Sequence, residues 1–153
     1  RRGAAIAALA LVVAACAGPT GTPDLRVGPA RASVPAAGVS QLVVAIENAG
    51  DGDDRLVAAS TDRALAVELH ETRVDDEGRA VMELRADGVA LPAGTTTRFR
   101  PGGLHLMLVV PDASVVLGGT LPVTLTFDRS PPVTVEVTVV PTAELLEDAP
   151  AGP

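Results

Sequence analysis

Among its 153 residues the chain has no tryptophan, no tyrosine and no lysine; it has one cysteine, two histidines, two methionines and two phenylalanines. Each shortage closes off a class of function. With so few aromatic rings there is no platform on which bases or sugars could stack. A net charge of −7 leaves no basic patch for a phosphate backbone, so no nucleic-acid partner is expected. One thiol, Cys16, permits neither an internal disulfide nor a multi-thiolate metal cluster. Ala, Val and Leu make up most of the hydrophobic 47%, enough for one domain with an aliphatic core.

The opening "RRGAAIAALALVVAAC" is two arginines, an uncharged apolar run and small residues ending in the only cysteine. It resembles a bacterial lipoprotein signal, whose cysteine is lipidated and becomes the first residue of the mature protein. Residues 1–15 are thus expected to be signal, and Cys16 the lipidation site. Acylation would hold the domain at an extracytoplasmic membrane face, each buried methylene contributing about 0.8 kcal/mol. Loss of Arg1 and Arg2 takes the charge from −7 to −9. Residues 16–23, ending "AGPTGTP", read as a flexible tether, and residues 142–153, "TAELLEDAPAGP", as a frayed polar tail.

Between them, over residues 24–141, the pattern is β throughout. Runs such as "QLVVAIEN", "DRLVAAS", "LAVELHET", "RAVMELR", "TTTRFR", "LHLMLVV", "LPVTLTF" and "VTVEVTVV" are separated by turn signals, including "AGDGDD", "DDEG", "PAG", "PGG" and "DRSPP". Short strands recurring about every 8–12 residues predict an all-β sandwich or barrel. No segment sustains a helical period.

In "PGGLHLMLVV", His105 and Met107 are two residues apart and point to one face of a strand, while Leu104, Leu106 and Leu108 point to the other. His70 shares a face with Glu68 in "AVELHET", and Met82 lies across the "DDEG" turn in the expected partner strand. These four are all the His and all the Met in the chain, one of each per locus. A set of two imidazoles and two thioethers suits Cu(I) far better than Zn, Mg, Ca or Mn. A blue-copper centre needs a cysteine thiolate in the site, which Cys16 on the tether does not supply. A zinc hydrolase needs three His, Asp or Glu ligands and an open position. A copper oxidase built on an N-terminal histidine is excluded by a mature chain that begins at Cys16.

The order His70, Met82, His105-Leu106-Met107 resembles the His…Met…His-x-Met signature of the PCuAC-type periplasmic copper chaperones. "ENAGDGDDRLVAASTDRALAVELHET" is similar to that family's segment leading into its first ligand strand. "LPAGTTTRFRPGGLHLMLV" is similar to its Pro-Gly-Gly-x-His-x-Met block, and "LPVTLTFDRSPPVTVEVTV" to its closing hairpin. The likeness spans roughly residues 40 to 140. It implies a cupredoxin-like Greek-key β-sandwich with a solvent-facing Cu(I) site at one end, and His70, Met82, His105 and Met107 as the ligands. It also implies carriage of copper outside the cytoplasm toward a copper-accepting protein, such as the cytochrome c oxidase copper-centre subunit or another assembly factor. Two features depart from the pattern. Eleven residues lie between His70 and Met82 and twenty-two between Met82 and His105, each one more than usual. Leu84 stands where many relatives have a second methionine, and the C-terminal segment lacks the His/Met-rich tail of some.

The expected mechanism is ligand exchange from a shallow site of neutral donors to an acceptor with stronger thiolate ligands. Glu71, beside His70, is a candidate to orient that imidazole, though a solvated strand carboxylate is its simpler role. The Pro-Gly-Gly turn fixes where His105 leaves the sheet. Two other readings stay open at this level: a lipoprotein that sequesters copper without delivering it, and a structural β-sandwich with no metal role. An enzyme is not expected, since no Ser-His-Asp set or paired-carboxylate cleft is evident.

Overall fold

The computed structural model describes residues 21–147. Eleven strands and one short helix follow one another: β1 (Leu25–Val27), β2 (Ala30–Ser33), β3 (Val39–Asn48), β4 (Asp54–Ser60), β5 (Ala64–Val74), β6 (Ala80–Leu84), β7 (Val89–Leu91), β8 (Thr95–Phe99), β9 (Leu104–Pro111), β10 (Thr120–Phe127), β11 (Val133–Val140) and α1 (Thr142–Leu146). Hydrogen bonding runs in the order β6-β5-β9-β3-β2-β11-β10-β4-β7, and an added β5–β4 pairing joins the strands next to the two ends of that path. The result is a cupredoxin-like β-sandwich with its two layers linked at the edges. The β2–β11 pair is parallel; the other pairings are antiparallel. No helix among the described residues is long and apolar enough to cross a membrane.

The core follows from alternation. Leu42, Val44 and Ile46 on β3, Leu69 on β5, Leu106 and Leu108 on β9, and Leu121, Val123 and Leu125 on β10 are buried in one cluster. Both phenylalanines, Phe99 and Phe127, join it, and the rest is aliphatic. β3 serves two neighbourhoods. Its first half pairs with β9 and β2, and its second half with β8 and β1.

Two polar residues hold the loops against this core. Asn48 is buried; its Nδ2 donates to the carbonyls of Gly52 and Leu91, both at 2.9 Å, and its Oδ1 accepts from the amides of Asp24 and Gly50. The "ENAGDGD" stretch therefore knots the N-terminal segment to β3 and β7. Gly50 is required there, because a Cβ would fall 2.2 Å from the Thr22 carbonyl oxygen. Asp54 is likewise buried, and its carboxylate accepts from the amides of Arg55 (2.7 Å), Arg129 (2.9 Å) and Ser130 (3.0 Å). It thereby fastens the β10–β11 turn to β4.

The structure differs from the sequence expectation at both ends of the domain. The last part of the expected tether is not free: the Thr22 amide donates to Asp51 Oδ1 at 2.7 Å, and the Gly21 carbonyl accepts from Arg129. Nor is the C-terminal segment wholly a frayed tail. Residues Thr142–Leu146 form α1, and Leu145 is buried against Val43 and Val140. Glu144 also pairs with Arg31 at 3.3 Å. One buried leucine and one ion pair hold a turn that propensity alone would not. Strands β1, β2 and β7 were not among the expected runs, being three or four residues long and next to Gly or Pro. Residues 1–20, with the expected signal and Cys16, and residues 148–153 lie outside the described residues.

Two outcomes follow. Leu145→Ala is expected to cost about 2 kcal/mol, from lost burial and the cavity it leaves, read as a lower denaturant midpoint. Burial opposes the charge on Asp54, but hydrogen bonds from Ser130 and from the Arg55 and Arg129 amides outweigh it and hold the carboxyl below its ordinary 3.8. A depressed folded value means stability that is present above the unfolded value and lost as pH falls through the folded one. Asp54→Asn is therefore expected to lose about 2 kcal/mol at neutral pH. It should also show a smaller further loss than the parent between about pH 4 and the parent's acid transition. Denaturant unfolding of both proteins across that range checks it.

Candidate metal centre

The centre is set by three pairings along β5. Glu68 lies opposite Met107, His70 lies opposite His105 on β9 and Leu84 on β6, and Thr72 lies opposite Met82. Residues two apart on a strand share a face, as do directly paired residues on neighbouring strands. Glu68, His70, Met82, Leu84, His105 and Met107 therefore occupy one face. The opposite face carries Leu69 and Leu106, both in the core.

The imidazole pair is in contact. The rings of His70 and His105 stack with centroids 5.8 Å apart and planes inclined at 27°. Met82 and Met107 flank them from opposite directions, four residues apart along β5, or about 13 Å. The structure thus brings the two histidines together and sets a thioether on each side. It does not make the site solvent-facing as a whole: His105 is 1% exposed, His70 and Met107 are partly buried, and Met82, half exposed on edge strand β6, is the most open of the four. His105 is covered although its strand face is the outer one.

Each ring is anchored through one nitrogen. His105 Nδ1 donates to the Gly103 carbonyl at 2.9 Å, and His70 Nε2 donates to Glu68 Oε2 at 2.8 Å. The second nitrogens, His70 Nδ1 and His105 Nε2, are buried and have no hydrogen-bond partner. Two orphaned buried acceptors are costly, about 1–3 kcal/mol each, and in a folded protein they call for an explanation. Burial pushes the His105 imidazole below its ordinary 6.5; the Gly103 hydrogen bond opposes this and the neighbouring His70 adds to it. Burial thus disfavours the charged ring, and the Nδ1 contact leaves the lone pair on Nε2.

The donor chemistry is narrow. No group of three or more His, Cys, Asp or Glu able to hold a metal occurs among the described residues. The further soft donors on the same face for an ion held by the two orphaned nitrogens are the thioethers of Met82 and Met107. That donor set fits a soft, monovalent ion.

The carboxylate beside the imidazoles is Glu68, not Glu71. Glu71 lies on the opposite face of β5 and pairs with Arg73 (3.2 Å) and Arg85 (3.1 Å). The period of two, which already groups Glu68 with His70, was the signal that identifies the right carboxylate; adjacency in sequence pointed to the wrong one. Leu84, at the position of the missing second methionine, sits directly across from His70 and is exposed.

This fold is shared with solved structures. The "Copper-bound PCuAC domain from PmoF2" superposes with a TM-score of 0.63 at 23% identity, covering 76% of this chain and 92% of that one. The Cu(I) form of DR1885 from Deinococcus radiodurans gives 0.61 at 24%, covering 74% and 76%. Its apo form gives 0.59 at 22%, covering 94% and 97%. At these identities the likeness establishes the fold. In sequence, the chain is 37% identical over 82 residues to "Putative lipoprotein Lxx21020" of Leifsonia xyli subsp. xyli, a match spanning 54% of this chain and about half (49%) of that relative. The family model "Putative lipoprotein LpqE-like" matches residues 24–139, nearly the whole β-domain. The chain belongs to the LpqE-like family and carries it on a PCuAC fold.

Proposed function

We propose that this protein is a non-enzymatic, extracytoplasmic Cu(I) carrier, tethered to a membrane by lipid on Cys16. In this reading His70, Met82, His105 and Met107 bind one ion and pass it to an accepting protein, with the copper centre of cytochrome c oxidase as the destination. One observation carries the reading: His70 Nδ1 and His105 Nε2 are buried, unpartnered and on adjacent strands, with thioethers as the other soft donors on that face. The copper content of the PCuAC and DR1885 structures that share the fold supports it, as does the lipoprotein description of the family.

Copper here is cargo. The Gly103 contact leaves the His105 Nε2 lone pair free to accept the ion, and burial disfavours the protonated ring that would compete with it. Soft thioethers favour the reduced ion over Cu(II). Release begins at the accessible side. Met82 is half exposed on an edge strand, so an incoming thiolate reaches the metal there while buried His105 and half-buried His70 still hold it. Replacing a thioether with a thiolate is favourable for Cu(I), and successive exchanges move the ion across without releasing it to solvent.

The test is a Cu(I) competition titration against a coloured chelator under reducing, oxygen-free conditions. The parent should withhold one equivalent, and the Met82→Ala, Met107→Ala double variant should surrender it. The loaded parent, mixed with an apo acceptor bearing a dithiolate site, should give up its copper. A parent that withholds none, or a double variant that withholds as much, sinks the binding reading; copper that stays put sinks delivery.

A further inference from the structure

The two imidazoles are held in different ways, and the difference has a chemical consequence. A carbonyl oxygen only accepts, so the Gly103 contact puts the proton of His105 on Nδ1 and leaves Nε2 with its lone pair. An ionised carboxylate also only accepts, so the Glu68 contact puts a proton on His70 Nε2. The nitrogens left over are the two buried atoms without partners. We propose that Glu68 is a positioning residue that imposes the Nε2–H tautomer on His70, so that His70 binds the metal through Nδ1 while His105 binds through Nε2, and that it supplies the charge balancing a bound monovalent cation. This deepens the copper reading and rests on it for the identity of the ion.

The alternative tautomer is disfavoured twice. A proton on His70 Nδ1 would sit on a buried nitrogen with no acceptor, and the bare Nε2 would set its lone pair against the carboxylate 2.8 Å away. Glu68 and His70 are two apart on one strand, and β9 pairs with β5 at both positions, so the contact is held by the sheet. The ligand set of two imidazoles and two thioethers is neutral, which leaves a bound Cu(I) with its full positive charge beside a buried ring. Glu68 is the one carboxylate on the ligand face of this part of β5. Glu71 and Glu83, on the other face, are committed to Arg73 and Arg85. A carboxylate on the far nitrogen of a ligand imidazole also raises that ligand's basicity.

The experiment compares the parent with Glu68→Ala, Glu68→Gln and Glu71→Ala. Imidazole proton–nitrogen correlation spectra of the isotope-labelled apo proteins report the tautomer of each ring without any metal. The parent is expected to show His70 protonated on Nε2 and His105 on Nδ1. Glu68→Ala should lose the His70 preference and leave His105 unchanged. Glu68→Gln, whose amide can donate or accept, should also lose it while keeping a hydrogen bond, and Glu71→Ala should match the parent. Cu(I) affinity should fall by about 10–100-fold in both Glu68 variants and hold in Glu71→Ala. A parent His70 protonated on Nδ1, or Glu68 variants that keep both the parental tautomer and the parental affinity, would overturn the proposal. A parent that shows the expected tautomers and binds no Cu(I) would overturn the counter-charge role and the copper reading together, leaving the tautomer assignment standing.

Discussion

The register of β5 against β9 is the constraint on which the centre depends. Leu69 pairs with Leu106 and both are buried, so the core holds the two strands to that alignment. The same alignment sets His70 opposite His105 on the reverse face. A slip of one residue would turn every side chain on the slipped strand to the other face, burying an imidazole in an aliphatic core and expelling a leucine. The metal donors and the core are thus specified by one set of backbone hydrogen bonds. Stability enforces the geometry of the site.

That coupling accounts for an apparent contradiction in the composition. A chain with almost no polar aromatic residues nonetheless buries a histidine to 1% exposure and leaves one of its nitrogens unsatisfied. In a protein whose loops are tied down by fully satisfied groups, Asn48 and Asp54, the two orphaned imidazole nitrogens stand out. Among the described residues, the buried side-chain nitrogens and oxygens that lack a partner are those of the stacked pair. An unsatisfied donor site on rigid strands is what a metal needs to find already formed.

Much of this was legible in the sequence, for identifiable reasons. The strands from β3 to β6 and from β8 to β11 were marked by alternation and bounded by Gly, Pro and Asp turns, and the structure places strands at each of those runs. Strands β1, β2 and β7 are too short for a period to register and take their place from β3, β11 and β4. Helix α1 has five residues and depends on where Leu145 lands, which is a tertiary fact. At the centre, the face shared by His105 and Met107 followed from spacing alone. The stacking of His70 on His105 did not, since it requires the β5–β9 register, and neither did the burial of His105, because an outward position on a strand says nothing about what covers it.

On the proposed reading, the arrangement also bears on why a carrier should cover part of its donor set. A site made wholly of exposed side chains would release a weakly held ion to any competing thiol, and a wholly enclosed one would hold it against its proper acceptor. Here the imidazoles are covered and fixed by Glu68 and Gly103, while one thioether lies on an edge strand in solvent. In the proposed carrier, the covered pair would give the ion a residence that does not depend on flexible side chains, and the open methionine would give an acceptor a side from which to approach. If the proposed exchange holds, selectivity would rest on an acceptor that docks against β6 and presents a thiolate there. On that reading the half-buried site would be a gate as much as a grip, because the ligands fixed by the sheet are also the least accessible to a competitor.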